Sequence, residues 1–207
     1  MCIRDSAGMV KTHSGTIRLG GTDITDYSIR QRVEAGLSYI PEDRQGVGVF
    51  MDLTLSQNLA LRRYYREPFS KNGILDFSQF DRYAENLIEN YDIRSGQGGK
   101  TILRSMSGGN QQKAILARWL ATDPDFLILD EPTRGIDIGT KTEIQKLIIQ
   151  LASEGKSVMF ISSEIDEMLR TCNRMAVMRD GAKVGELDGE LTQERVMAAI
   201  AGGAKDD

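Results

Sequence analysis

Apolar residues in this chain occur as short unbroken runs and as longer stripes at helical spacing, and the two alternate. Leu37–Ile40, Phe126–Leu129 and Val158–Ser162 are runs of strand length with no polar alternation, which suits strands buried on both faces of a parallel sheet. Thr54–Arg63 reads as a short helix with Leu55, Leu59 and Leu61 on its buried side. In Phe77–Tyr91, residues Phe80, Tyr83, Ala84, Leu87, Ile88 and Tyr91 recur at i, i+3, i+4, i+7 and i+8 spacing. A helix running to Ala121 buries Ile115, Leu116, Trp119 and Leu120, and Lys141–Ser153 is a further amphipathic helix. Shorter helices are predicted over Ser28–Ala35, Glu164–Thr171 and Thr192–Ala201, the last started by Thr192 and ended by Gly202-Gly203. Two hairpins are predicted: Thr16–Leu19 with Thr22–Ile24 around Gly20-Gly21, and Arg174–Arg179 with Ala182–Leu187 around Asp180-Gly181. Strands alternating with helices imply an α/β fold with a parallel sheet and small antiparallel portions. Tyr64–Gly73 reads as an irregular connection holding Pro68, and Ser95–Lys100 as a mobile, glycine-rich linker. The first six residues, MCIRDS, have neither an apolar stretch nor a period and are expected to be a non-native leader.

The chemistry gathers where the strands stop. Asp130 and Glu131 follow Phe126–Leu129, and Pro132 prevents the strand from continuing. Ligands of open parallel sheets bind beyond the carboxyl ends of the strands. There, Asp130 could steady a hydrated Mg²⁺ and Glu131 could orient or deprotonate a water; the same residues also suit a buried strand with a charged edge turn. Glu42-Asp43-Arg44 sits at the end of Leu37–Ile40 after Pro41. Taken alone, it reads as a solvated turn rather than as a group reaching the same phosphate and metal. Ser107-Gly108-Gly109 precedes a helix. Two glycines leave backbone N–H groups bare at the positive end of the dipole, which suits an anionic oxygen. An ordinary serine cap would not need glycines that cost about 1 kcal/mol each relative to alanine.

Composition narrows the partners. The net charge is −4 with pI near 5.2, so there is no basic stripe for a nucleic-acid backbone. Cys2 and Cys172 have no paired spacing, which argues for a reducing compartment and against zinc. His13, the single histidine, lies in a polar turn and is expected at the surface. No apolar run approaches the ~20 residues of a membrane span.

Taken in order, SMSGGNQQK, FLILDEPTRGID and ISSEIDEM resemble the signature loop, the Walker B strand with its D-loop, and the switch region of ABC transporter nucleotide-binding domains. About 18 residues separate the first two, a spacing hard to meet by chance. GGNQQK, EPTRGID and PEDR resemble the second ATPase half of tandem importers for simple sugars. PEDR and YYREPFSKNGILDF also resemble nucleoside importers.

The resemblance implies a P-loop NTPase-like (RecA-like) fold: core over 7–51, helical subdomain with the signature loop over 52–118, core again over 119–203, and a tail over 204–207. It implies that Ser107, Gly108, Gly109, Asn110 and Gln111 bind an ATP held by an opposing half. Asp130 would support Mg²⁺, Glu131 would be the general base, and Asp137 would link the two sites. Glu42 stands at the Q-loop position, usually Gln, where it could reach ATP, metal or water as an anion. Ser163 stands at the switch position, usually His. Partners implied are a second ATPase half, transmembrane permease subunits and, indirectly, a solute-binding protein, with the chain peripheral on the cytoplasmic membrane face. No G-x-x-x-x-G-K-S/T occurs, and Lys11-Thr12 lacks a preceding glycine loop, so the chain is expected to be N-terminally truncated and inactive alone. Two further readings stay open: a half that lends only its signature loop, and a soluble ABC ATPase on ribosomes or DNA. The latter typically carries basic arms or long coiled-coil insertions, which this sequence lacks.

Overall fold

The computed structural model describes residues 3–202. The expected tail, Gly203 and the first two residues of the expected leader lie outside them. The rest of that leader forms a single helical turn, α1 (Ile3–Ser6). It is tied into the fold: the carbonyls of Asp5 and Ser6 accept from the Arg32 guanidinium at 3.0 and 2.8 Å. A hairpin follows, β1 (Arg18–Leu19) with β2 (Thr22–Asp23), turning through Gly20 and Gly21 at positive φ. Ser28 and Gln31 form a capping box for α2 (Ile29–Glu34), which leads into β3 (Leu37–Ile40), buried at every residue.

Arg44–Gly48 is a π-helical turn opened by Asp43, whose carboxylate accepts from Gly46 N–H at 2.8 Å. Thr54 and Gln57 box the start of α3 (Leu55–Ala60). The connection expected to be irregular contains a small hairpin, β4 (Ser70–Lys71) and β5 (Ile74–Leu75), turned by Asn72-Gly73 with positive φ at both. Asn-Gly is the commonest signal for such a turn. The long helix is α4 (Phe77–Asn90).

Ser95–Lys100, expected as a mobile linker, is exposed over 96–98 but packed at Gly99. Its last three residues form a 3₁₀ turn in which a Cβ on Gly99 would lie 3.2 Å from Ser56 and 3.5 Å from Ala84. Glycine there permits close approach to α3 and α4 rather than mobility.

The remaining elements alternate: α5 (Gly108–Leu120), β6 (Phe126–Asp130), α6 (Ile138–Ser153), β7 (Ser157–Ile161), α7 (Ile165–Thr171), hairpin β8 (Arg174–Arg179) and β9 (Ala182–Asp188), and α8 (Gln193–Ala201). Helix α6 starts earlier than its stripe suggests because Asp137 caps it, accepting from Thr140 N–H at 2.9 Å.

Strands β3, β6 and β7 form a parallel sheet in that order, with Ile40 beside Leu129 and Asp130 beside Ile161. One core joins the sheet to the helical region. Leu55, Ala84 and Leu103 pack in the same cluster as Ile115, Leu116, Leu127, Leu129 and Phe160. The expected boundary between 118 and 119 falls inside α5, whose buried residues serve both sides, so the helical region shares its core with the sheet. Leu127, Ile128 and Leu129 are almost wholly buried, which fixes β6 as the central strand and sets the position of its tip.

Candidate active site

The register of the sheet assembles the site. Parallel pairing of β3, β6 and β7 brings the residues after Ile40, Leu129 and Ile161 to one edge, so Glu42, Asp130–Glu131 and Ser162–Ser163 share it. Asp130 is half-buried there and accepts from the Tyr39 hydroxyl at 3.0 Å. Burial first, and then the bond to Asp130, push the Tyr39 phenol up to about 12, so it stays a donor at neutral pH. Tyr39 occupies one oxygen, Oδ2, and is a site residue that sequence reasoning missed: in a buried run it reads as core.

Glu131 turns the chain off the sheet. Its φ is +47°, a left-handed conformation that costs a non-glycine residue about 1–2 kcal/mol. Two bonds hold it there: its N–H donates to the Ile161 carbonyl at 3.0 Å, and its Oε1 accepts from Ser163 N–H at 2.8 Å. The expected base and the expected switch residue therefore touch, through the serine backbone. Ser163 is exposed, which leaves its hydroxyl available to a ligand.

Glu42 is placed differently from expectation. Its carboxylate is ion-paired with Arg134, which lies on the turn after Glu131, rather than turned to Asp130. Arg134 was not singled out from the sequence, although it stands inside the D-loop stretch.

The signature loop lies on another part of the surface. Ser107 is exposed and caps α5; its oxygen accepts from Asn110 Nδ2 at 2.9 Å and, at 3.4 Å, from Asn110 N–H. Its hydroxyl proton remains free to donate. Ser107 and Asn110 line an open cleft of about 660 Å³ that also includes Arg94 and Ser95. Gly108 and Gly109 allow close approach. A Cβ on Gly108 would meet the Arg44 guanidinium at 3.1 Å, and one on Gly109 would meet Thr140 Oγ1 at 2.6 Å and Asp137 Oδ2 at 3.2 Å. Asp137 thus joins the signature loop to the start of α6. Hydrogen bonds from Thr140 hold its carboxyl below the ordinary range.

Gln111, expected to bind ATP, does not face outward. It is 3% exposed, and its amide donates to the carbonyls of Leu103 and Met106, both at 3.1 Å. It braces the loop from inside. Asn110 is likewise engaged, with Oδ1 accepting from Arg94 N–H at 2.8 Å.

The family model described as "ABC transporter" matches residues 3–134. The chain belongs to the ABC transporter family. It is 40% identical over 198 residues to the nucleoside import ATP-binding protein NupA of Lactococcus lactis, covering 96% of this chain and 39% of that protein. It is 36% identical to the guanosine import ATP-binding protein NupO of Bacillus subtilis, covering 95% and 38%. It is 39% identical to a putative ribose/galactose/methyl galactoside import ATP-binding protein of Agrobacterium fabrum, covering 94% and 39%. The chain therefore spans about two fifths of the length of these relatives. Among solved structures, a nucleotide-free ATP-binding cassette from an ABC transporter superposes with TM-score 0.78 at 19% identity, over 99% of this chain and 82% of that one. A dimeric ATP-binding cassette in a post-hydrolysis state with ADP and Pi gives 0.72 at 18%, over 90% and 78%. These likenesses establish the P-loop NTPase fold of an ABC ATPase domain, a parallel sheet with helices and small antiparallel sheets.

The residues present fit Mg²⁺ as it usually accompanies nucleotides. Asp130 offers a hard oxygen with only Oδ2 taken. No group of three or more His, Cys, Asp or Glu converges among the described residues. One carboxylate completed by water and phosphate is the usual arrangement for this ion.

Proposed function

We propose that this chain is the part of an import ATPase that supplies Walker B, D-loop, switch and signature loop, and that it energises uptake of a simple sugar. The observation that carries the reading is Glu131, held at φ +47° against Ser163 at the tip of the central strand beside Asp130. With Oε1 on the serine N–H, Oε2 is left to take a proton from the attacking water. Asp130 would hold Mg²⁺, which when bound neutralises phosphate charge. The Ser163 hydroxyl would donate to the γ-phosphate. Ser107, with the backbone N–H groups of Gly108 and Gly109, would donate to the γ-phosphate of an ATP bound by the opposing half, with Asp137 beside them reporting between the two sites. Glu42 could reach the metal or water only after releasing Arg134.

The sequence holds no G-x-x-x-x-G-K-S/T, the glycine-and-lysine cradle for the α- and β-phosphates. We infer that the isolated chain binds ATP more weakly than micromolar and does not turn it over, because most phosphate contacts come from that cradle. Isothermal titration of the 207-residue chain with MgATP tests this; micromolar affinity would contradict it.

The permease partner is supported by an apolar groove of about 490 Å³ beside the helical region, in which Val47, Phe50 and Tyr64 are exposed. No helix among the described residues is long and apolar enough to cross a membrane, so a membrane task calls for such a partner. Nucleoside import is the second reading, favoured by the 40% identity to a nucleoside importer's ATPase. In the full-length ATPase with its permease, Glu131→Gln should lower ATP turnover by at least about 100-fold while ATP still binds. Ribose and guanosine uptake, measured side by side, separate the two readings. Unchanged hydrolysis in Glu131→Gln would remove Glu131 as the base.

A further inference from the structure

Glu167 is 3% exposed; it stands within ISSEIDEM, but no role has been given to it above. It is on α7, and its carboxylate joins three other segments. Its Oε2 accepts from Thr133 Oγ1 at 2.5 Å and from Ser162 Oγ at 3.2 Å. Its Oε1 faces Lys141 Nζ, on α6, at 3.2 Å. Lys141 is shared with the exposed Glu164, and Thr133 is itself 1% exposed.

The sequence positions of these partners matter. Thr133 follows Glu131 by two residues, and Ser162 immediately precedes Ser163. One buried oxygen therefore grips the chain just after the strained glutamate and just before the serine whose N–H binds it. Glu131 needs such support, because a left-handed glutamate persists only where its surroundings over-determine it. A buried carboxylate in turn needs its oxygens filled, so the grip is mutual.

We propose that Glu167 is a positioning residue for hydrolysis: through Thr133 and Ser162 it fixes the D-loop turn against the switch strand and so holds Glu131 and Ser163 in register. It touches neither nucleotide nor water. The inference rests on the reading of Glu131 as the base.

Glu167→Gln keeps the shape but replaces one acceptor oxygen with a donor, so it cannot accept from both hydroxyls and face Lys141 as well. In the full-length ATPase it should lower kcat by about 100-fold, the scale of a small misplacement of reacting groups. KM for ATP should change by less than about twofold. Amide exchange at Ser163 should quicken, because its N–H is the bond being held. Thr133→Val should show a smaller loss, and the double variant should be no slower than Glu167→Gln, since both act by one route. Normal kcat in Glu167→Gln, or losses that multiply in the double variant, would overturn the proposal while leaving Glu131 as base. Normal kcat in Glu131→Gln would remove both.

Discussion

Glu131 and Tyr39 carry the residue-scale account, and both are set by neighbours distant in sequence. Tyr39 donates to Asp130 from the adjacent strand, and burial raises its phenol to about 12. An unfolded chain loses that proton near 10, whereas the folded one keeps it. The unfolded state therefore binds fewer protons between about pH 10 and 12, and stability falls as pH rises through that window. Urea midpoints should show this slope in the native chain, and Tyr39→Phe should flatten it. An unchanged slope in the phenylalanine variant would mean that Tyr39 titrates normally. At this scale the sequence was legible for the placement of Asp130, Glu131, Ser107 and Asp137, because strand ends and helix starts are local. It was not legible for Tyr39, Arg134 or Glu167, whose roles arise from pairing across the sheet and between helices. Gln111 was misread for the same reason: only the folded loop shows that its amide turns inward to the carbonyls of Leu103 and Met106.

At the scale of elements, caps and close approaches set the boundaries. Helix starts at Ser28, Thr54, Asp76, Ser107, Asp137 and Thr192 all carry a side-chain acceptor, of which the cap at Thr192 was expected. The Asn72-Gly73 hairpin had a readable signal that a proline nearby obscured. Gly99 had none, since a glycine that permits contact and one that permits motion look alike in sequence. Arg32 is the side chain that joins the first elements. It is 2% exposed, with no carboxylate bonded to it among the described residues, and donates to the carbonyls of Asp5, Ser6, Thr25 and Tyr27. Arg32→Ala leaves these acceptors buried and should cost about 3 kcal/mol or more of unfolding free energy in chemical denaturation. Arg32→Lys should recover only part of it, because one ammonium cannot reach four carbonyls spread around a planar fork. A loss under about 0.5 kcal/mol for Arg32→Ala would show that the N-terminal turn and hairpin are held by apolar contact alone.

At the scale of the molecule, a core cluster shared by the sheet and the helical region underlies two separate working surfaces. One is the strand edge with Asp130, Glu131 and Ser163; the other is the exposed Ser107 at the head of α5, beside Asp137. Ser107, Asp137 and Ser163 are exposed and Gly108, Asp130 and Glu131 partly so, whereas Gly109 is buried. The central claim is that the two surfaces meet around one terminal phosphate when two ATPase halves close. Hydrogen exchange of the full-length ATPase carrying Glu131→Gln, with MgATP and with MgADP, tests this directly. The account predicts that MgATP slows exchange at both Ser107–Asn110 and 131–163 strand-tip amides, and that MgADP leaves Ser107–Asn110 as fast as in the nucleotide-free protein. Equal protection by both nucleotides, or none at Ser107–Asn110 with MgATP, would contradict it.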